Sequence, residues 1–102
     1  MSNVKENKFK IMLLSANYLD CKRSLREAQE NIMPLSDEAY KTKMRIVTHI
    51  ENVAQCLEEK HRLIIENEVI KGKRGKWYLE FLSAPSYYRH RLRAYEEFLR
   101  CL

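Results

Sequence analysis

Apolar residues recur every three or four positions in three stretches of the chain, which predicts amphipathic helices. The first stripe lies between Phe9 and Met33 and consists of Ile11, Leu14, Tyr18, Cys21, Leu25, Ala28 and Ile32. Pro34 cannot continue a helix and disfavours helical backbone at the residue before it, so we expect this helix to end at Met33. Residues 1–8 are polar and unpatterned, and we expect a flexible tail there.

A second stripe follows Ser36 and Asp37, either of which can cap a helix N-terminus. Its members are Tyr40, Met44, Val47, Ile50, Ala54 and Leu57. Because very few residues separate the two helices, we expect them to pack as an antiparallel hairpin over residues 9–57. The charged run at 58–62 interrupts the apolar pattern, which resumes at Leu63, and a bend or short break is predicted there.

The rest of the chain predicts a helix-turn-helix over residues 58–102. Two glycines make Lys71–Lys76 a loop, a short helix follows from Trp77 to Leu82, and Ser83–Ser86 form a turn before a last helix that ends at Cys101. The predicted apolar face of that last helix is Tyr88, Leu92, Tyr95, Leu99 and Leu102. These elements predict an all-α protein of four to five helices, in which the hairpin packs on the helix-turn-helix within one domain, residues 9–102.

Composition narrows the class of protein. The 102 residues include two glycines and two prolines, which favours long helices over many short strands. No apolar run reaches the length of about eighteen residues that a membrane span needs, and no secretory signal is evident, so we expect a cytoplasmic protein without membrane contact. Three widely spaced cysteines, Cys21, Cys56 and Cys101, favour buried thiols over disulfides or a zinc site.

Residues that carry catalysis or bind metals form no recognisable pattern. The three histidines share no ligand spacing with one another or with a cysteine, and we expect them at the surface or at the edge of the core. Several acids stand among bases on one helix, which predicts solvated ion pairs. They are Glu58, Glu59, Glu66 and Glu68. Without a nucleophile turn, a catalytic triad or a Cys/His pair, we expect no enzyme activity, no cofactor and no small-molecule substrate.

The positive charge of the chain is concentrated in one segment. Residues 71–93 hold seven Lys or Arg against the single acid Glu80, whereas the rest of the chain holds twelve bases and thirteen acids. A basic segment that contains a helix-turn-helix predicts binding to duplex DNA, with the last helix facing base edges and the loop holding phosphates. The candidates at the start of the last helix are Ser86, Tyr87, Arg89, His90 and Arg93. The candidates in the loop are Lys71, Lys73, Arg74 and Lys76.

The turn and last helix carry the pattern S-x-x-S-Y-Y-R-x-R-x-x-A from Ser83 to Ala94, after a short apolar helix and the longer segment LEEKHRLIIENEVI. This pattern resembles the C-terminal part of sigma-factor region 4 and of the small phage late-gene transcription regulators that share its helix-turn-helix. The resemblance covers residues 57–102. It implies a transcription regulator, with Trp77–Leu82 as the supporting helix, Ser86–Arg93 as the reading end of the recognition helix, and RNA polymerase as a further candidate partner.

Other interpretations stay open. The helices could form a protein-interaction module whose basic end binds an acidic partner, or the tyrosines could stack on single-stranded nucleic acid. Helical spacing assigns Trp77 and Tyr88 to the core and leaves Tyr87 exposed. The near-heptad stripe of the hairpin could also seal two chains into a homodimer, which would suit a two-fold DNA site.

Overall fold

The computed structural model describes residues 4–102, and this part of the chain forms four α-helices and no strand. The helices are α1 (Val4–Gln29), α2 (Asp37–Gln55), α3 (Glu59–Ile65) and α4 (Ala84–Cys101). A π-helix over Glu66–Ile70 continues α3, and a 3-10 helix over Trp77–Glu80 precedes α4. The prediction of an all-α protein with four to five helices is therefore confirmed. None of the helices described is both long enough and apolar enough to cross a bilayer.

Helix α1 begins earlier than the sequence predicted. Residues 4–8 are helical, so the prediction of a flexible tail is wrong for them, and residues 1–3 lie outside the described part of the chain. Lysine and glutamate are good helix formers, and Lys10 forms an ion pair with Glu6 one turn away at 3.3 Å. A polar segment can therefore extend a helix whose next turns are anchored in the core.

Helix α1 ends at Gln29 rather than at the predicted Met33. Asn31 adopts a left-handed backbone (φ 59°), and the amide of Ile32 donates to the carbonyl of Glu27 at 2.8 Å. This is the hydrogen-bond pattern of a Schellman cap, in which Asn is the usual alternative to Gly. The stop signal is thus Asn31 instead of the following proline, and Ile32 is exposed rather than part of the core stripe.

Helices α1 and α2 pack antiparallel, as predicted. Near the connection, Nε2 of Gln29 donates to the hydroxyl of Tyr40 at 2.8 Å, and further along both helices Tyr18 donates to the carboxylate of Glu51. Ser36 caps α2, as expected, because its Oγ accepts a hydrogen bond from an amide of the first turn at 3.1 Å. These contacts define a hairpin that is paired from Gln29 back to Tyr18 of α1.

The break predicted after α2 is confirmed. Helix α2 ends at Gln55, and Glu58 caps α3 by accepting a hydrogen bond from the amide of Lys60 at 3.3 Å. Because the chain changes direction here, α3 packs on α4 and the π-helix packs on α1. The hairpin and the C-terminal elements therefore share one core.

The core combines the first apolar stripe with residues of the later helices. From α1 it takes Ile11, Tyr18, Cys21 and Leu25, which are all buried as predicted. The later helices contribute side chains with almost no exposure, namely Ile64, Ile65, Val69, Ala94, Tyr95 and Phe98. The core-facing stripe of α1 thus packs entirely against other helices of the same chain.

Two of the three cysteines lie outside this core. Cys21 is buried in α1, whereas Cys56 and Cys101 are exposed, so the prediction of buried thiols is wrong for these two. Cys56 is the C-cap of α2, and Cys101 is the last helical residue of α4. Residues at helix ends leave the packed face, which explains their exposure.

A close contact between α1 and the loop after the π-helix positions the C-terminal elements. The buried hydroxyl of Ser15 donates to the carbonyl of Val69 at 2.9 Å. Gly72 follows with a left-handed backbone (φ 63°), and a Cβ at this position would lie 2.7 Å from Cδ1 of Leu19. The left-handed backbone therefore favours glycine at residue 72, and a Cβ there would in addition displace the side chain of Leu19.

We expect Gly72→Ala to lower the free energy of unfolding by about 2 kcal/mol, because it combines left-handed strain with displacement of Leu19. Gly75→Ala is the matched control, since Gly75 also has a positive φ (73°) but no atom within 4 Å of an added Cβ. In the control, the free energy of unfolding should fall by only about 1 kcal/mol, the cost of left-handed backbone for alanine. Urea unfolding followed by circular dichroism measures both changes. Equal losses in the two variants would contradict the close contact with α1.

Candidate nucleic-acid interface

The candidate interface is built around a buried carboxylate. Glu68 lies in the middle of the π-helix and is 7% exposed. Its Oε2 accepts hydrogen bonds from Nε1 of Trp77 at 3.0 Å and from the hydroxyl of Tyr87. Its Oε1 accepts from the hydroxyl of Tyr95. Three donors thus satisfy the carboxylate, which is the condition under which proteins tolerate a buried acid.

The prediction of solvated acids is wrong for Glu68. Its three donors lie far along the chain, so no local spacing in the sequence marks it as buried. Glu66 behaves as predicted, since it is only half-buried and its carboxylate lies 3.9 Å from Nε of Arg62. The sequence alone therefore does not distinguish Glu68 from Glu66, because the donors that bind Glu68 lie far along the chain.

The π-helix brings consecutive polar residues into the interior. The amide of Lys71 donates to the carbonyl of Glu66 at 2.9 Å, which closes the wider turn. Asn67, Glu68 and Val69 are all buried, whereas three consecutive positions of an α-helix would spread over about 200°. Asn67 donates through Nδ2 to a carbonyl of α3 at 2.8 Å, but its Oδ1 accepts no hydrogen bond within the described residues.

Burial raises the pKa of both Tyr87 and Tyr95 above the usual tyrosine value, and the carboxylate of Glu68 raises it further. Both hydroxyls therefore keep their protons and act as donors. The ring of Tyr78 stacks on that of Tyr87 at a centroid distance of 3.9 Å. This stack joins the 3-10 helix to the start of α4.

Helix α4 begins within the predicted turn. Ser83 is its N-cap, because its Oγ accepts a hydrogen bond from the amide of Ser86 at 3.3 Å. Pro85 and Ser86 thus belong to the first helical turn, where proline is well tolerated. The supporting helix expected over Trp77–Leu82 is the shorter 3-10 helix Trp77–Glu80.

The burial of the two tyrosines at the start of α4 is the reverse of the prediction. Tyr87 is 5% exposed, whereas Tyr88 is 54% exposed. The prediction that Tyr87 faces DNA is therefore wrong. Spacings of seven and of eight residues from Tyr95 both place a side chain on the same helical face, so periodicity alone does not separate the two tyrosines. The hydrogen bond to Glu68 selects Tyr87.

Arginines line the face of α4 that points away from the core. Arg89 and Arg93 are exposed and lie one turn apart, and Arg100 continues the same face two turns further on. None of the three forms an ion pair with any residue between 4 and 102. Sequence analysis missed Arg100, although its spacing of seven from Arg93 is the signal that identifies it. We call Arg89, Arg93 and Arg100 the outer face of α4.

His90 points toward α3 instead of toward solvent. It is half-buried, and its ring centroid lies 5.9 Å from that of His61. Burial lowers the pKa of His90, and the charge of Lys60 lowers it further, so His90 is neutral near pH 7. His61 is itself buried, with Nδ1 2.8 Å from Oε2 of Glu97, so of the predicted positions, surface or edge of the core, the surface is excluded for it.

The basic loop is held against the protein by its backbone and by one arginine. The amide of Lys73 donates to the carbonyl of Asn67 at 2.9 Å. Nη1 of Arg74 donates to the carbonyl of Glu68 at 3.1 Å and to that of Lys73 at 2.9 Å. A cavity of about 70 Å³ beside the loop is lined by Lys8 as well as by these two bases. We call Lys8, Lys73 and Arg74 the loop surface.

The single basic patch expected over residues 71–93 is divided into two surfaces. Tyr87 lines the cavity of the loop surface, and it lies about 160° around the helix axis from Arg89. The loop surface and the outer face therefore lie on opposite sides of the start of α4. Lys71 and Lys76 are exposed in the loop but do not line the cavity.

Within residues 4–102, no three His, Cys, Asp or Glu side chains come close enough together to hold a metal ion. Comparison of the chain with protein-family models, curated proteins and solved structures finds no match. The candidate interface therefore rests on its own geometry.

We expect Glu68→Gln to lower the free energy of unfolding by about 2–4 kcal/mol, because an amide cannot accept from all three donors and turns an N–H toward one of them. Glu66→Gln is the matched control, since it removes the same charge two residues away at a half-exposed position, and its cost should stay below about 0.5 kcal/mol. Chemical denaturation of both variants tests this. Similar losses in the two would show that Glu68 does not organise the buried cluster.

The raised pKa values of Tyr87 and Tyr95 predict a loss of stability at high pH. Below about pH 10 these tyrosines are protonated in both the folded and the unfolded chain. Above it the unfolded chain releases the protons while the folded chain keeps them, so the free energy of unfolding falls as pH rises. The double variant Tyr87→Phe, Tyr95→Phe should weaken this slope. Urea denaturation at a series of pH values measures the slope, and an unchanged slope in the double variant would contradict the prediction.

Proposed function

We propose that this chain binds duplex DNA through the outer face of α4. The observation that carries the proposal is the row of exposed arginines, Arg89, Arg93 and Arg100, without ion-pair partners among the described residues. Arginine donates in a planar fork to phosphate oxygens and to O6 and N7 of guanine. A row of such donors that lacks protein acceptors is suited to a polyanion.

The length and anchoring of α4 support this role. The helix has 18 residues, or about 27 Å of rigid rod, and an α-helix fits the major groove of B-DNA. Hydrogen bonds from Tyr87 and Tyr95 to Glu68 fix its opposite side two turns apart. The arginines are thus presented on a helix that cannot rotate without breaking buried hydrogen bonds. Ser86 in the first turn is small enough to allow close approach to the backbone of DNA.

The basic loop is proposed to make phosphate contacts outside the groove. Lys71 and Lys76 are exposed there, and Lys73 and Arg74 lie beside Lys8. Because this region lies on the other side of α4 from Arg89, a duplex that contacts the outer face does not need the loop. We therefore expect the loop to contribute less to affinity than the outer face does.

The resemblance to sigma-factor region 4 supports a role in transcription. In this proposal α4 is the recognition helix, the 3-10 helix is a shortened supporting element, and α3 packs across α4 as the preceding helix of the motif. RNA polymerase is then a second candidate partner.

A second candidate function is binding of single-stranded nucleic acid. Tyr88 and Phe81 are 54% and 52% exposed, and the guanidinium carbon of Arg91 lies 5.1 Å from the centroid of the Tyr88 ring. Exposed aromatic rings beside a cation are typical of surfaces on which bases stack. Substitution of Tyr88 therefore distinguishes the single-strand function from binding of duplex DNA.

Fluorescence anisotropy with a labelled duplex at about 50 and 200 mM salt tests the proposal. We expect Arg89→Ala with Arg93→Ala to weaken binding at least about tenfold and to reduce the slope of log affinity against log salt by about 2, one for each lost phosphate contact. Lys41→Ala with Arg45→Ala is the matched control. It removes two exposed bases of α2 that have no ion-pair partner in the described chain, and binding should change little.

The competing outcomes are distinct. Absence of binding at low salt, or equal losses in the two double variants, would contradict the proposal. Tighter binding to an unpaired strand, abolished by Tyr88→Ala, would favour the single-strand function. Equal affinity for heparin and for duplex would indicate a surface for acidic partners in general, which is the protein-interaction alternative.

A further inference from the structure

Helix α1 carries a second apolar stripe on the side opposite its core-facing one. The members of this stripe span an arc of about 120° around the helix axis. They are Phe9, Met12, Leu13, Ala16 and Leu19, and all five are exposed. The only charged residue between the two ends of the stripe is Lys10, which lies outside the arc. We call these five residues the exposed stripe of α1.

Bases border the exposed stripe at both of its ends. Lys5 and Lys8 precede it, and Arg26 follows it by two turns. All three side chains are exposed, and none has an ion-pair partner among residues 4–102. Six bases stand against two acids over residues 4–26. The face that contains the stripe therefore has a positive surplus.

The two acids on this part of α1 are already paired. Oε1 of Glu6 lies 3.3 Å from Nζ of Lys10, and Oδ1 of Asp20 accepts a hydrogen bond from Arg23. A second copy of the chain would bring the same basic ends to the contact and would be repelled. The charges of this face are instead complementary to an anionic surface.

The basic loop runs along one edge of the exposed stripe. A Cβ on Gly72 would lie 2.7 Å from Cδ1 of Leu19, and Met12 lines the same cavity as the loop surface. Residues 71–76 contain four bases and no acid. Two elements distant in sequence thus place apolar side chains and a basic cluster next to each other.

The exposed stripe forms a ridge rather than a groove. Met12 lines a cavity at one edge, and Ala16 and Leu19 line another. Phe9 and Leu13 line neither cavity, and they are 61% and 54% exposed. Protein partners that bind as helices usually place their anchors in a groove. A protruding apolar ridge beside bases is suited to a lipid surface, into which side chains can insert.

We propose that the exposed stripe and the loop surface bind an anionic lipid membrane, with α1 lying in the plane of the bilayer surface. Amphipathic helices of this kind insert their apolar face about 5–10 Å into the boundary between headgroups and acyl chains, while Lys and Arg contact the headgroups. The sequence-based expectation of no membrane contact rested on the lack of a spanning segment, which a peripheral contact does not need.

The membrane contact is separate from the contact proposed for DNA. The loop surface lies on the opposite side of the start of α4 from Arg89, so a bilayer and a duplex would use different surfaces. For the loop surface itself, lipid phosphates are favoured over duplex phosphates, because a duplex offers no apolar partner to Phe9 and Leu13. The inference therefore does not rest on DNA binding by the outer face of α4, and either can fail alone.

Flotation of the full chain with lipid vesicles tests the apolar part of the contact. We expect binding to phosphatidylcholine vesicles with about 30% phosphatidylserine and much weaker binding to phosphatidylcholine alone. Leu13→Gln should weaken binding at least about tenfold, because the leucine no longer enters the bilayer. Ile32→Gln is the matched control, since Ile32 is 65% exposed but lies outside the stripe, and it should bind like the wild type. Circular dichroism checks that both variants are folded.

A charge-matched pair of double variants tests the basic part. Lys8→Gln with Lys73→Gln should weaken binding about 25-fold, or about fivefold for each base near the lipid surface. Lys41→Gln with Arg45→Gln removes the same charge from exposed positions of α2 and should change binding little. Equal losses in the two double variants would overturn the inference, because binding would then follow net charge alone.

The remaining outcomes separate this inference from its competitors. No flotation with anionic vesicles at about 50 mM salt, or equal flotation of Leu13→Gln and Ile32→Gln, would overturn it. A dimer at sedimentation equilibrium that Leu13→Gln abolishes, without flotation, would assign the stripe to a second copy and also overturn it. Arg89→Ala with Arg93→Ala should lose duplex binding but still float, so a failure of the DNA proposal is recognised separately.

Discussion

The side chain of Glu68 accepts hydrogen bonds from residues that lie 9, 19 and 27 positions further along the chain. Removing a carboxylate from water costs several kcal/mol unless donors replace the lost hydration, so Trp77, Tyr87 and Tyr95 must all reach it at once. Their positions fix the 3-10 helix and two turns of α4 relative to the π-helix. The carboxylate thus determines the geometry of the whole C-terminal half.

This geometry also decides which charges face solvent. Once Tyr87 and Tyr95 point inward, helical periodicity turns Arg89 and Arg93 outward and places Arg91 beside the tyrosine rings, with its guanidinium carbon 5.8 Å from the centroid of the Tyr87 ring. His90 is directed to the α3 side, where it meets His61. The basic residues that alternate along positions 89–93 therefore have different surroundings. Arg89 and Arg93 lie on the outer face, Arg91 contacts tyrosine rings, and His90 packs against His61. The function proposed for α4 depends on this division.

The fold could be predicted further than the site because helices are specified by local patterns. The stripes of α1 and α2, the cap at Ser36 and the break before α3 all follow from residues a few positions apart. Asn31 was missed because a left-handed cap competes with proline as a stop signal, and both occur within four residues. The exchange of Tyr87 and Tyr88 has a different cause. Helical spacing allows either of two adjacent residues to face the core, and the hydrogen bond to Glu68, which is distant in sequence, decides that Tyr87 is the buried one.

The order of the three donors along the chain has a consequence for synthesis of the protein. The carboxylate of Glu68 leaves the ribosome well before Tyr87 and Tyr95, and a nascent chain that ends in the basic loop contains none of its three donors. Such a chain has no means of desolvating the acid, so the π-helix cannot take its buried position against Ser15 of α1. Two of the three donors, Tyr87 and Tyr95, belong to α4. Packing of α4 is therefore needed before the buried carboxylate is satisfied.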